Sequence, residues 1–434
     1  MVLVSGCAVD AIEEASPPET TPIAHAGSKP SSFFTSPDPG TNTAFFHDLG
    51  TNGRTCGSCH VREEGWVVTP AGMESRFAAT GGTDPAFRLN DGANSPLADV
   101  STVEARRAAY SMLLTKGVIR VGIGIPANAE FELVAVDDPY GYASAAELSL
   151  FRRPLPTTNL RFLTGIMWDG REPSLGQQSI DATIGHAQAT QTVQVDMDTI
   201  VAFESSIYTA MAEDPSAGDL AAEKAKGGPK KLSETPFFIG INDPLGGNPT
   251  GEVHDPRAMR LFDNWQRFVG KTAPQDRARA SVWRGQEIFN TKRFTITEVR
   301  GVTDALGVDA LEVTCTTCHD TPNVGNHSVP LPLDLGLSDA ALRTPDMPLY
   351  TLRNLSTGAI VQTTDPGRAL ITGKWNDMNK FKGPVLRGAA LRPPYFHNGA
   401  VPTLQAVVEF YDGRFAIGLT PQEKSDLTAF LKVL

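Results

Sequence analysis

Two pentapeptides decide what chemistry this chain can carry. Cys56-Gly57-Ser58-Cys59-His60 and Cys315-Thr316-Thr317-Cys318-His319 share the form Cys-x-x-Cys-His. Two thiols so spaced on one turn can each bond a haem vinyl group, and the adjoining imidazole then lies under the iron as its proximal ligand. A structural zinc site is the competing use of paired cysteines. It needs further paired Cys or His ligands, and the flanks of the motifs offer none. The spacing therefore predicts two covalently bound haem c groups, one on Cys56, Cys59 and His60, the other on Cys315, Cys318 and His319. In bacteria such haem is attached outside the cytoplasmic membrane, so the expected location is the periplasm. What each iron does then hangs on its sixth ligand. Two strong ligands make an electron carrier, whereas an open or weakly held distal side can bind peroxide or oxygen.

Three further blocks resemble the bacterial di-haem cytochrome c peroxidases and the related MauG-type enzymes. They are residues 46–60, the run Met167-Trp168-Asp169-Gly170-Arg171-Glu172-Pro173-Ser174-Leu175, and residues 381–404 with Pro394-Tyr395-Phe396-His397-Asn398-Gly399 at their centre. By that resemblance Trp168 is the indole between the haems that conducts electrons or holes; its plainer reading is a core Trp, and one residue can serve as both.

The family places the second haem's distal ligand fourteen positions after the His of the Pro-Tyr-Phe-His block, Met in peroxidases and Tyr in MauG-type enzymes; here that position is Tyr411. Leu404, Val407, Val408 and Tyr411 share one helical face, so the phenol should point inward. A phenolate favours ferric iron and higher oxidation states. The alternatives are a buried Tyr bonded to backbone, with Met347 or Met378 as ligand. At the first haem, the family's acid–base Glu stands twenty residues after the Trp, which here is Gln188. An amide can hydrogen-bond peroxide but cannot take its proton. His186 can; it could also bind the iron and close the site, or simply pack. No His between His60 and His186 matches the family's regulatory His, and Met73 is the one substitute. An interhaem calcium would fall to Asn94 and the carbonyls of Arg392 and Pro394, oxygen ligands of the kind calcium takes. Arg387, Lys382 and His327 would pair haem propionates.

The resemblance implies an oxidoreductase that reduces hydrogen peroxide or uses it to oxidise a protein or small molecule. Electrons would pass between the haems from a small donor protein, a cytochrome or cupredoxin. The alternatives are a non-catalytic periplasmic electron-transfer cytochrome, and an anchored haem protein acting as sensor or assembly partner. A formal net charge of −11 argues against nucleic acid and against general attraction to anionic lipid.

The elements that must position these groups are mainly helical: two cytochrome c-like haem domains with a small β element inserted in the first. The expected divisions are a tether over 1–36, an N-terminal haem domain with insertions over 37–270 and a C-terminal one over 271–434. Val4-Ser5-Gly6-Cys7 resembles a bacterial lipobox, with Cys7 as a lipid anchor, although only six residues precede it. Helical spacing runs over 103–114 and over 197–211, where Ile200, Phe203, Ile207 and Met211 share a face. Residues 118–123 and 131–136 read as strands, and the Gly- and Pro-rich stretch 216–251 as a surface loop. Thr420, Pro421 and Glu423 form a capping box that opens a packed C-terminal helix.

Overall fold

The computed structural model describes residues 29–35, 38 and 40–434. The lipobox-like start at Cys7 and nearly all of the tether lie outside the described residues. Among the described residues helices outweigh strands, which form four small sheets. No helix among the described residues is long and apolar enough to cross a membrane.

The C-terminal helix Pro421–Lys432 begins as its sequence dictates. Thr420 N donates to Glu423 Oε2 at 2.8 Å, and Glu423 N donates to Thr420 Oγ1 at 3.2 Å. Leu427, Phe430 and Leu431 are buried against helix Pro274–Thr291, which leads into the second haem motif. The two helices cross so closely that a Cβ on Gly285 would lie 2.0 Å from Asp426 O.

Five expectations are corrected. The apolar run 103–114 is two helices, Val103–Ala109 and Ser111–Lys116, broken at the buried Tyr110. Residues 197–211 change element midway: helix Gln194–Ser205 stops and strand Ile207–Asp214 pairs antiparallel with Lys29–Phe34. Ile207-Tyr208-Thr209 is rich in β-branched and aromatic side chains, which fit a pleated surface, so the strand takes over at the serine pair Ser205-Ser206. The partner strand Lys29–Phe34 also shortens the tether. Within 216–251 the chain turns inward, burying Ala217, Leu220, Ala225 and Leu232. Finally, the β element is not an insertion in the first half. Strand Ile119–Ile123 does pair with Leu148–Arg152, but strand Phe131–Asp137 pairs with Leu349–Asn354 from beyond the second haem motif. One apolar cluster likewise joins Met211, Leu220, Met259, Phe262 and Trp265 to Val282, Phe289, Leu404 and Phe430. Residues on both sides of position 270 therefore share a core.

Candidate haem sites

Both Cys-x-x-Cys-His motifs fold into the same local structure. Cys56–Ser58 and Cys315–Thr317 are single 3-10 turns, each closed by a hydroxyl two residues before the His: Thr55 N donates to Ser58 Oγ at 3.0 Å, Thr314 N to Thr317 Oγ1 at 3.1 Å. His60 Nδ1 lies 3.0 Å from Trp66 O, and His319 Nδ1 lies 2.6 Å from Gly325 O, in each case six residues on. A ring whose Nδ1–H is held by a backbone carbonyl presents Nε2 as a neutral ligand, the usual support of a metal-bound imidazole. Burial pushes the His60 pKa down to about 4 and lowers that of His319. Both are thus kept in the uncharged form an iron requires.

One continuous cavity is lined by Cys56, Cys59 and His60 and by Cys315, Cys318 and His319. Its wall differs between the two ends. Around the second motif it is apolar, with Phe289, Phe294, Ile296, Leu333, Leu404, Val407 and Leu431. Around the first it carries Arg54, Asp91, Gln178, Ser179, Thr183, His186 and Glu204. The cavity, the paired thiols and the oriented imidazoles fit two c-type haems.

The two ends are nonetheless built from one template. Residues 153–187 and 382–416 repeat the same elements without a gap, 229 positions apart (Trp168 to His397). Leu160–Phe162 and Ala389–Leu391 are matching 3-10 turns. Met167 and Phe396 both hold φ near +67° (68° and 67°), and Gly170 and Gly399 follow at 67° and 66°. Isolated bridges Ile166–Glu172 and Tyr395–Val401 close the matching loops. Ser174 and Thr403 then cap the helices Leu175–Ala187 and Leu404–Phe415. Each helix turns corresponding positions to the cavity: Leu175 and Leu404, Gln178 and Val407, Ser179 and Val408, Ala182 and Tyr411, His186 and Phe415. Trp168 and His397 meet across the seam with ring centroids 6.3 Å apart.

No family model matches the chain. Cytochrome-c peroxidase IdrP1 of Pseudomonas sp. (strain SCT) is 27% identical over 267 residues, 54% of this chain and 63% of that protein. Cytochrome c551 peroxidase of Nitrosomonas europaea is 31% identical over 226 residues, 46% of this chain and 60% of that protein. The chain is a relative of the bacterial cytochrome c peroxidases. It spans less than two thirds of the length of either. Among solved structures, a MauG-like protein associated with microbial copper homeostasis aligns over 90% of this chain and 85% of its own, with 16% identity and a TM-score of 0.42.

In this peroxidase relative the residues singled out from sequence fall into two groups. Trp168, His186, Tyr411, Lys382, Arg392, Pro394 and His327 line the cavity. Trp168 Nε1 donates to Arg153 O at 2.7 Å. His186 Nδ1 lies 2.5 Å from Asp91 Oδ2, and Asp91 also pairs with the buried Arg54. Burial opposes the Asp91 charge, but Arg54 and His186 hold its carboxyl below the usual range. Burial raises the Tyr411 phenol, with Cys318 and Cys315 as its nearest titrating neighbours. That places it at the second motif. His327 Nδ1 lies 2.9 Å from Asp320 Oδ2.

The second group lies elsewhere. Gln188 is exposed, caps the helix end with φ of 56° and is absent from the cavity wall, so His186 alone of that pair faces the first site. Met73, Met347 and Met378 are buried in apolar clusters and none of them lines the cavity. Arg387 does not face the cavity either. It donates to the main-chain oxygens of Leu434 (3.1 Å), Asn323 (3.1 Å) and Gly228 (3.2 Å), so it ties the C-terminal segment down rather than holding a propionate. Asn94 is buried and spends its amide on Ala108 O, Ser111 Oγ and Met112 N.

Sequence reading passed over Glu204. It is buried on the cavity wall beside Cys56, its Oε2 has no partner, and burial pushes its pKa up to about 8. The signal was a carboxylate one turn past Ile200 on an otherwise apolar helical face. A folded pKa above the unfolded value of about 4.3 means that the native state holds the proton more tightly, so stability falls as pH rises between the two, by about 1.4 kcal/mol per unit. Glu204→Gln should remove that slope. Denaturant unfolding of the haem-loaded protein at mildly acid and neutral pH measures it, and an unchanged slope would place the titration elsewhere.

Proposed function

We propose that the protein is a periplasmic di-haem c-type oxidoreductase of the peroxidase kind. Two haem lobes, one on Cys56, Cys59 and His60 and one on Cys315, Cys318 and His319, share the described cavity. When bound, the haems would supply one-electron chemistry, for the reduction of hydrogen peroxide at the first site with electrons from a small cytochrome or cupredoxin entering at the second. Trp168 lies on the seam between the two halves and is the residue suited to connect them.

The observation that carries this reading is the pair Ala182 and Tyr411. They are the same position of the repeated helix. Tyr411 lines the second site beside Cys315 and Cys318, where its phenol would be the residue to hold the iron. A methyl group stands in its place at the first site. The first site would then leave room for peroxide, with His186 a turn further along the same face. Asp91 holds one ring nitrogen of His186 and leaves the other for a peroxide proton. Tyr411 rather than Met at the second haem favours use of peroxide to oxidise a protein or small molecule over bulk removal.

Electron paramagnetic resonance of the oxidised protein tests this. A high-spin first-haem signal that changes on adding peroxide is expected. Two low-spin signals unmoved by peroxide would instead mark an electron-transfer cytochrome with His186 as the closing ligand. His186→Ala should lower peroxide turnover by about 10²–10⁴-fold, the usual contribution of a placed acid–base group. If His186 were a ligand, the same change would open the site and raise it.

A further inference from the structure

Calcium is the one group implied by the resemblance that these residues do not fit. Asn94, its expected side-chain ligand, donates from Nδ2 to Ser111 Oγ (2.7 Å) and Ala108 O (3.2 Å), and its Oδ1 accepts from Met112 N (3.2 Å). Of the two carbonyls expected to complete the site, that of Arg392 faces a guanidinium instead, together with its neighbour Pro393 O. Arg153 Nη2 donates to Pro393 O at 3.3 Å and Arg392 O at 3.5 Å, and Nη1 donates to Gly117 O at 2.9 Å and Lys116 O at 3.3 Å. Arg153, Lys382 and Arg392 all line this part of the cavity. The charges of Glu64 and Arg392 act on Arg153 in opposite directions, and burial with Arg392 nearby lowers the Lys382 pKa to about 8. A divalent cation added here would meet positive charge from three sides.

The backbone of Arg153 is engaged as fully as its side chain. Its N–H donates to His397 O at 2.5 Å, and its carbonyl accepts from Trp168 Nε1. At the corresponding position of the repeat, Lys382 N–H donates to Trp168 O at 2.9 Å. Each half thus grips the aromatic residue of the other, and Arg153 alone adds a fork of charged donors that ties in the 392–393 turn.

We propose that the Arg153 guanidinium is the resident cation of the seam, standing where a calcium ion would otherwise sit, and that it positions Trp168 between the haem sites. The inference rests on the two-haem reading above, but its test contains no peroxide, so failure of the peroxidase reading would leave it to stand or fall alone. In the haem-loaded wild type, metal analysis should find no stoichiometric calcium, and neither EGTA nor added calcium should move the thermal midpoint or the rate of electron transfer between the haems after one-electron reduction. Arg153→Ala should slow that transfer by roughly tenfold, the factor that goes with losing a charge-assisted hydrogen bond. Arg153→Lys keeps the charge but not the fork and should restore part of the rate. One calcium per chain, an EGTA-sensitive rate or midpoint, or a wild-type rate in Arg153→Ala overturns the proposal. If Arg153→Ala does not fold, the wild-type calcium measurements and Arg153→Lys still decide it.

Discussion

Arg152→Met is expected to destabilise the protein by about 3–5 kcal/mol, the cost of leaving buried charges without their partner. Arg152 is 2% exposed and sits at the end of strand Leu148–Arg152. Its Nε and Nη2 donate to Asp365 at 2.6 and 2.9 Å, and Nη1 donates to Asp169 of the Trp-Asp-Gly-Arg segment. Both carboxylates are fully buried. Methionine fills a similar volume but leaves Asp365 without its cation and Asp169 with Arg171 alone, and protonation becomes the cheapest relief. Burial opposes the charge on Asp169, yet Arg152 and Arg171 hold its pKa below the usual range. A depressed folded pKa gives stability that is present above the unfolded value near 3.9 and lost as pH falls through the folded one. The difference between wild type and variant should therefore be largest near neutral pH and shrink in acid. Denaturant midpoints across that range measure it, and a constant difference would mean that packing rather than charge is lost.

Ala182→Met should abolish the reaction with peroxide while sparing the second haem. The repeated helix turns position 182 towards the first site as it turns Tyr411 towards the second. A thioether there can occupy the iron's free position. Peroxide turnover should fall to background, a larger loss than removing His186, and the first-haem signal should become low-spin. Tyr411→Phe should do the reverse, altering the second-haem spectrum and leaving the peroxide-sensitive signal in place. If Ala182→Met retained turnover, peroxide would have to bind elsewhere.

How much of this was legible beforehand varied with how the residue works. The haem motifs act through short-range spacing, and the C-terminal helix through its own cap, so both could be read directly. Tyr411 could be placed by its count from His397 and the apolar face it shares with Leu404, Val407 and Val408, and His186 only by its nearness to the position where the family carries its Glu. The repeat that makes Ala182 meaningful could not. Its two copies keep Gly170 and Gly399, Pro173 and Pro402, Leu175 and Leu404, and Ala187 and Ala416, positions that fix the backbone path. The cavity-facing positions differ because the two ends make different use of them. Arg387 was misread because a cation's type does not tell which acceptor it will find once buried. Residues 197–211 misled because a buried strand and a buried helix can both claim Ile207 and Met211.

The pairing of Phe131–Asp137 with Leu349–Asn354 constrains how the molecule can be made. The earlier strand has no other partner on that edge until the later one has been synthesised, and a bare edge is a template for pairing with another chain. So remote a contact also forms slowly. On the two-haem reading, a haem on His60 would therefore be attached while the first half is still unsealed. A chain cut short between the two motifs should aggregate rather than accumulate as a one-haem protein.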